Sequence, residues 1–403
     1  MIERPLYLSR LKAWQDKDMI KVITGIRRCG KSSLLINFAE NLKKDGVLDS
    51  CIIQMNFEDL KYDGMDYKTL HDILLAQVEQ NKENKTYIFL DEIQKVPEWE
   101  KMAASLRLNP NVDLYLTGSN AYMLSSELAT FLSGRYIEIK MLPLSFKEFL
   151  SFYNFSSDTS LEKKFGFYMR YGGMPSLKDY NFNERQTLDT LDGIYNTVLI
   201  KDVITRSTNK DVNVIKKILH FLADNIGNLS SINSITNTLY TNKGITSKNN
   251  SLVESYISLL ENAFIFYNIG RYDIKGKDYL KSLNKYYIVD SGLRSFLLNR
   301  VIDTGRIIEN IVYFELLRRG YNVSIGKVGD KEVDFIATNN DEKIYYQVCE
   351  NISSEETKSR ELSSLRDIED SYPKFVLTMD TLTTQTTEDG IKITNIIDWL
   401  LAE

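Results

Sequence analysis

Eight residues, Gly25-Ile26-Arg27-Arg28-Cys29-Gly30-Lys31-Ser32, have the types and spacing to hold a triphosphate. The two glycines let main-chain N–H groups turn toward phosphate oxygens, the lysine reaches the β- and γ-phosphates, and a hydroxyl at Ser32 suits Mg2+. The run follows an apolar, β-branched stretch, Met19-Ile-Lys-Val-Ile-Thr24, and precedes a segment with helical spacing over residues 31–42. A helix starting there adds the positive end of its dipole, so residues Gly25 to Ser33 are expected to cradle ATP with Mg2+. A glycine-rich turn with a chance lysine is the competing reading, and the strand-loop-helix context weighs against it.

A second apolar run, Tyr87-Ile-Phe-Leu-Asp91-Glu92, ends in two acids. Asp91 is expected to hold Mg2+, and Glu92 to orient and polarise the attacking water, because phosphoryl transfer depends on positioning and charge compensation. Ordinary turn acids are the alternative. A third run, Asp113-Leu-Tyr-Leu-Thr117-Gly118-Ser119-Asn120, ends in polar groups. Ser119 and Asn120 suit either a sensor of the γ-phosphate or water, or a plain turn with helix caps. Arg135 precedes a further strand and is read either as an arginine finger at a protomer edge or as a surface ion-pair residue. Arg27 and Arg28 lie in the loop with side chains able to pack away, and Cys29 is a small filler rather than a redox switch.

These residues need a sheet to position them. Short apolar runs at residues 19–24, 51–56, 86–90, 113–117 and 136–140 alternate with helical spacing, which predicts a parallel sheet covered on both faces. The expected organisation is an ATPase core over 1–150, a helical lid or linker over 151–205, a winged helix over 206–300 and a small α/β domain over 301–403. The winged-helix outline rests on helices near 214–226, 231–239 and 251–262, then apolar runs flanking a basic tip at Lys275-Gly-Lys277. One long helix is expected over 183–206. In the last hundred residues a helix over 305–319 precedes three strands, a polar helix over 354–370 and a final strand over 374–378.

Composition narrows the function classes. With 43% hydrophobic and 26% charged residues and only 6 Pro, the chain is folded rather than disordered. It contains no apolar run near the roughly 20 residues of a membrane helix. Met1-Ile-Glu-Arg-Pro lacks a secretory h-region, and Cys29, Cys51 and Cys349 suit reduced thiols, so a cytoplasmic, membrane-free protein is expected. With His71 and His220 the only histidines, any metal should be a hard ion held by oxygen. The net charge of -5 hides an asymmetry: residues 206–300 carry 13 Lys and Arg against 7 Asp and Glu, residues 301–403 carry 11 against 20.

With these motifs in hand, the chain resembles a family of prokaryotic AAA-type ATPases with a P-loop core, a winged helix and a C-terminal domain. The matching stretches are Thr24-Gly-Ile-Arg-Arg-Cys-Gly-Lys-Ser, Leu90-Asp-Glu-Ile-Gln, Leu116-Thr-Gly-Ser-Asn, Ser133-Gly-Arg-Tyr, Leu142-Pro-Leu-Ser-Phe, Tyr171-Gly-Gly-Met-Pro and Lys285-Tyr-Tyr-Ile-Val-Asp-Ser-Gly. The resemblance implies homo-oligomerisation on nucleotide and an Arg135 that acts in trans. The C-terminal domain resembles the PD-(D/E)xK nuclease fold, with Glu309 and Asp334 at two acidic positions. Gln347 and Cys349 depart from the Glu-x-Lys that should follow, so this domain is expected to be an inactive scaffold.

DNA contact is expected, if anywhere, through Lys275, Lys277 and Lys281 in the wing and Lys243 and Lys248 between helices. Docking of a protein partner through the same module is the equal alternative. Three activities follow as readings: a nucleotide-driven switch on DNA or a protein partner, an ATP-dependent nuclease, and a nucleotide-bound scaffold that does not hydrolyse.

Overall fold

The computed structural model describes residues 3–402 apart from 125–131, 133, 181, 199–201, 205–210, 300–302, 341 and 382–384, and apart from the side chains of residues 122, 124, 281 and 282. The chain divides into two compact units, residues 1–141 with 262–264, and residues 142–261 with 265–403.

In the first unit the apolar runs become five parallel strands: β1 (Ile20–Thr24), β2 (Ile52–Asn56), β3 (Thr86–Asp91), β4 (Val112–Gly118) and β5 (Tyr136–Lys140). Their order is β2-β3-β4-β1-β5. The connecting helices are α1 (Pro5–Trp14) before β1, then α2 (Lys31–Lys44), α3 (Tyr67–Gln80) and α4 (Trp99–Leu106). Every residue of β1 and β3 is buried, as strands with both faces covered require. Phe89 stacks on Tyr115 at 4.8 Å between ring centres, and Phe38 of α2 leans on Tyr115 at 5.3 Å.

One ion pair lies inside this core. Lys21 of β1 and Asp113 of β4 are 0% and 1% exposed and bonded to each other. Asp113 also accepts from the Asp16 N–H at 2.8 Å and the Tyr115 hydroxyl at 2.9 Å. A buried pair persists when its remaining hydrogen-bonding capacity is met in this way. Burial still lowers the Lys21 pKa, against the pull of Asp113.

The second unit opens with α5 (Phe146–Phe152), α6 (Leu161–Tyr171) and α7 (Glu184–Val198). The long helix expected over 183–206 corresponds to α7, and much of its C-terminal end lies outside the described residues. Helices α8 (Val212–Asp224), α9 (Ile232–Thr241) and α10 (Asn250–Asn262) follow, then the hairpin of β6 (Phe266–Asp273) and β7 (Asp278–Ile288). After α11 (Ser291–Leu298) and α12 (Thr304–Arg318) come β8 (Asn322–Val328), β9 (Lys331–Asn339) and β10 (Glu342–Cys349). The chain closes with α13 (Glu355–Arg366), β11 (Lys374–Thr378), β12 (Gln385–Thr386), β13 (Lys392–Asn395) and α14 (Ile396–Leu401).

The hairpin does not stand alone. The sheet order is β12-β13-β11-β10-β9-β8-β6-β7, with β6 parallel to β8 through Arg271 opposite Ile325. Segments 206–300 and 301–403 therefore share one sheet. The pairing satisfies an edge of β6 that a free hairpin would leave open.

Three of the stretches that carry the family resemblance meet in this unit. Asp290 is fully buried and accepts from the Gly173 N–H at 2.7 Å and the Leu293 N–H at 3.0 Å, capping α11. Gly172 has φ +75°, and a Cβ there would stand 2.1 Å from the Asp290 carboxylate. Leu144 donates its N–H to the Gly173 carbonyl at 2.7 Å, and Arg318 reaches the Pro143 carbonyl at 3.0 Å. Leu142-Pro-Leu, Tyr171-Gly-Gly and Val289-Asp-Ser-Gly thus form one packed junction.

Burial pushes Asp290 up to about 6 and Glu261 up to about 7. Both lie above their ordinary values, so the folded chain binds more protons than the unfolded chain through that window. From these two groups, stability should fall by roughly 4 kcal/mol as pH rises from about 5 to about 8. Urea unfolding at the two ends of this range checks the slope, which Glu261→Gln should make shallower.

Candidate nucleotide site

The site is built where β1, β3 and β4 end side by side. The chain leaves β1 at Gly25, whose φ is +148° and whose Cβ, were there one, would lie 2.2 Å from the Met141 carbonyl. It re-enters helix at Gly30, φ +106°, and α2 begins with no side chain capping its first turn. The first-turn N–H groups of this 14-residue helix are thus left for another acceptor. Ile26 and Cys29 are buried beneath the loop, while Arg28, at φ +65°, is exposed.

The Lys31 side chain is 4% exposed and lies back across the loop. Its ammonium donates to the Gly25 carbonyl at 2.9 Å and the Ile26 carbonyl at 3.1 Å, and stands 3.9 Å from Glu92 Oε1. Ser32 and Ser33 are exposed on the first turn, and the Ser32 hydroxyl favours the charged form of Asp91. Arg27 points to acids, with Nη1 3.2 Å from Glu58 Oε1 and Nη2 3.9 Å from Glu92 Oε2. Arg4 of the preceding segment donates to the Cys29 carbonyl at 3.2 Å.

Asp91 closes β3 and is held by the Thr117 hydroxyl of β4. The same Thr117 oxygen accepts the Glu92 N–H at 2.9 Å, so one hydroxyl fixes both acids. Glu92 sits at φ +55°, a strained position of the kind that clusters at functional sites. Its Oε2 accepts from Gln94 Nε2 at 2.5 Å and the Ser119 hydroxyl at 3.2 Å. Burial raises the Asp91 pKa, against the hydrogen bonds from Thr117 and Ser32. Burial likewise raises the Cys29 thiol, outweighing Lys31 and Arg4, which favours the unreactive protonated form.

The structure therefore brings Lys31, Ser32, Asp91, Glu92 and Ser119 together, with Asp91 and Glu92 bonded to Thr117, Ser119 bonded to Glu92 and Lys31 3.9 Å from Glu92. Asn120 is buried just beyond β4. Arg135 is exposed one residue before the edge strand β5 and gives its carbonyl to the Ile20 N–H. Ser133, beside it, lies outside the described residues. Sequence reasoning passed over Thr117 and Gln94. The strand register held the missing signal, since Leu90 pairs with Leu116 and so sets Asp91 beside Thr117.

A second polar group lies in the other unit, where Glu309 of α12 and Asp334 of β9 come together. Gln347 Oε1 accepts the Asp334 N–H at 3.3 Å, and the buried Cys349 thiol is pushed up to about 12 by burial. Burial and the charge of Glu309 push Asp334 up to about 8, against the pull of Lys285. Among the described residues no three or more His, Cys, Asp or Glu are grouped to hold a metal ion. Lys275 and Lys277 are exposed at the hairpin tip, Lys243 and Lys248 are exposed between α9 and α10, and the Lys281 side chain lies outside the described residues. No helix among the described residues is long and apolar enough to cross a membrane.

Comparison with known proteins agrees with the first unit. Residues 17–150 match the model of an AAA domain, and residues 162–302 match a domain of unknown function (DUF8612). An uncharacterized protein of Haemophilus influenzae is 42% identical over 407 residues, covering 100% of this chain and 99% of its own. One from Methanocaldococcus jannaschii is 31% identical over 363 residues, covering 86% of this chain and 78% of its own. The Aeropyrum pernix ORC1 protein, solved in complex with DNA, aligns over 74% of this chain and 93% of its own at 13% identity and a TM-score of 0.30, a likeness too loose to argue from. With the P-loop geometry and full-length relatives together, the chain belongs to this family of AAA-type P-loop proteins, whose first unit is a five-stranded α/β core.

Proposed function

We propose that this protein binds ATP with Mg2+ and hydrolyses it, as a cytoplasmic nucleotide-driven switch that assembles into a homo-oligomer and acts on DNA or a protein partner. The observation that carries the reading is the pair of acids Asp91 and Glu92 held on Thr117, with the Lys31 ammonium 3.9 Å from Glu92, beside a start of α2 that no side chain caps. The residues present fit a magnesium nucleotide, because the loop offers N–H donors and the acids offer hard oxygen.

In this reading the main chain from Gly25 to Ser33 holds the phosphates, with Ile26, Arg27, Arg28 and Cys29 shaping the loop. Lys31 exchanges the Gly25 and Ile26 carbonyls for phosphate oxygens. Ser32 and Asp91 would hold the ion, and Mg2+, when bound, compensates the charge that spreads over the transferred phosphoryl group. Glu92 orients the attacking water and accepts its proton, while Asn120 steadies that water or the γ-phosphate. Thr117 keeps both acids in register. Arg135, exposed at the edge strand, supplies positive charge to the site of a neighbouring copy. The exposed Lys275 and Lys277, with Lys243 and Lys248, offer cations to a phosphate backbone.

Glu92→Gln should lower steady-state ATP turnover by about a hundredfold or more while nucleotide binding persists. Unchanged turnover would show that another group does this work and would sink the assignment. Arg135→Ala should also lose turnover, yet regain part of it when mixed with Glu92→Gln, because each variant supplies what the other lacks at a shared interface. A mixture no more active than its parts places Arg135 outside any neighbour's site. Light scattering should register a larger assembly with a non-hydrolysable ATP analogue than without nucleotide. With duplex DNA added, replacing Lys275 and Lys277 by alanine should make the salt dependence shallower, by roughly one unit of slope for each phosphate no longer neutralised.

A further inference from the structure

Strand β7 places Lys285 and Tyr287 on the same face, two residues apart, and both reach Glu309 of α12. The Lys285 side chain is only 4% exposed. Its ammonium lies 2.9 Å from Glu309 Oε1, 2.8 Å from Glu332 Oε1 and 3.7 Å from Asp334 Oδ1. Three carboxylates from α12 and β9 thus converge on one cation delivered by the hairpin.

Two further donors to these acids come from the chain itself. The Tyr287 hydroxyl donates to Glu309 Oε1 at 2.6 Å, and the Val348 N–H donates to Asp334 Oδ2 at 2.9 Å. Gln347 accepts the Asp334 N–H through Oε1 at 3.3 Å and donates through Nε2 to Glu361 Oε2 at 2.9 Å, so both ends of its amide are already engaged. In a PD-(D/E)xK nuclease these acidic positions would hold a divalent ion. Here such an ion would have to enter beside a buried ammonium, and two cations confined among the same carboxylates repel strongly at low dielectric. The residues present do not fit a metal.

We propose that the Lys285 ammonium is the resident cation of this carboxylate site, standing in the place of a divalent metal and fastening the hairpin to α12 and β9. The domain is then a metal-independent scaffold whose acids serve as anchors for the strand that carries Lys285. The neutral Gln347 belongs to the same arrangement, because a fourth carboxylate would add to negative charge that a single ammonium already has to offset. This site is separate from the nucleotide loop and does not depend on what that loop does.

The test uses the full-length, nucleotide-free protein and Mn2+ as the probe. Electron paramagnetic resonance of free Mn2+ should show no saturable binding below about 1 mM that Asp334→Asn removes. Thermal unfolding should drop by several degrees in Lys285→Met, which keeps length but not charge, and hold near wild type in Lys285→Arg. Adding Glu309→Gln to Lys285→Met should recover part of the loss, since it removes an uncompensated acid. Saturable Mn2+ binding by the wild type that Asp334→Asn abolishes would overturn the proposal, whether or not the lysine variants fold. So would a Lys285→Met protein as stable as the wild type.

Discussion

The parallel pairing of β1, β3 and β4 is the constraint on which the nucleotide site depends. Parallel strands in register end at the same edge of the sheet, so groups far apart in the chain emerge beside one another there. Thr24 is paired with Gly118, and Leu90 with Leu116, which sets the phosphate loop, the two acids and Thr117 within bonding reach. The buried Lys21–Asp113 pair ties β1 to β4 through side chains as well as main chain. A slip of one residue in β3 would turn Asp91 to the opposite face and dissolve the group.

Within that frame, one hydroxyl carries unusual responsibility. Thr117 donates to Asp91 and accepts from the Glu92 N–H, so the two acids are held in different roles from a single point. Glu92 is further held by Gln94 and Ser119. Lys31 satisfies its ammonium on the carbonyls of its own loop. Asp91, Glu92 and Lys31 thus each have an internal partner, as burial demands.

The second unit relies on two buried polar anchors. Asp290 draws together the Gly172-Gly173 turn and the start of α11, and its cost of burial is offset by the N–H donors it accepts. Lys285 draws together the hairpin, α12 and β9. Both sit in the stretch Lys285-Tyr-Tyr-Ile-Val-Asp290, so a segment with no obvious chemistry of its own holds two anchors of the unit. The hairpin read as a wing also pairs with β8, through three residues of β6. Its basic tip is exposed, while Arg271, Tyr272 and Asp273, next to that tip, pair with β8 of the last hundred residues.

The amino-acid sequence by itself determined the five apolar strands of the first unit, because strands buried on both faces must be apolar throughout and interrupted by polar turns. It also determined the phosphate loop, since the glycines, lysine and serine of that loop act through local backbone geometry. Asp91 and Glu92 were legible as acids ending a strand. Thr117 and Gln94 were not, because their importance comes from strand register and from the return of the chain beside Glu92. Lys285 was invisible for the same reason. Nothing local marks a strand lysine as the counter-ion of Glu309, Glu332 and Asp334. Only tertiary structure decides which charges share a buried site, because that depends on the pairing of segments far apart in the chain rather than on the residues next to each one.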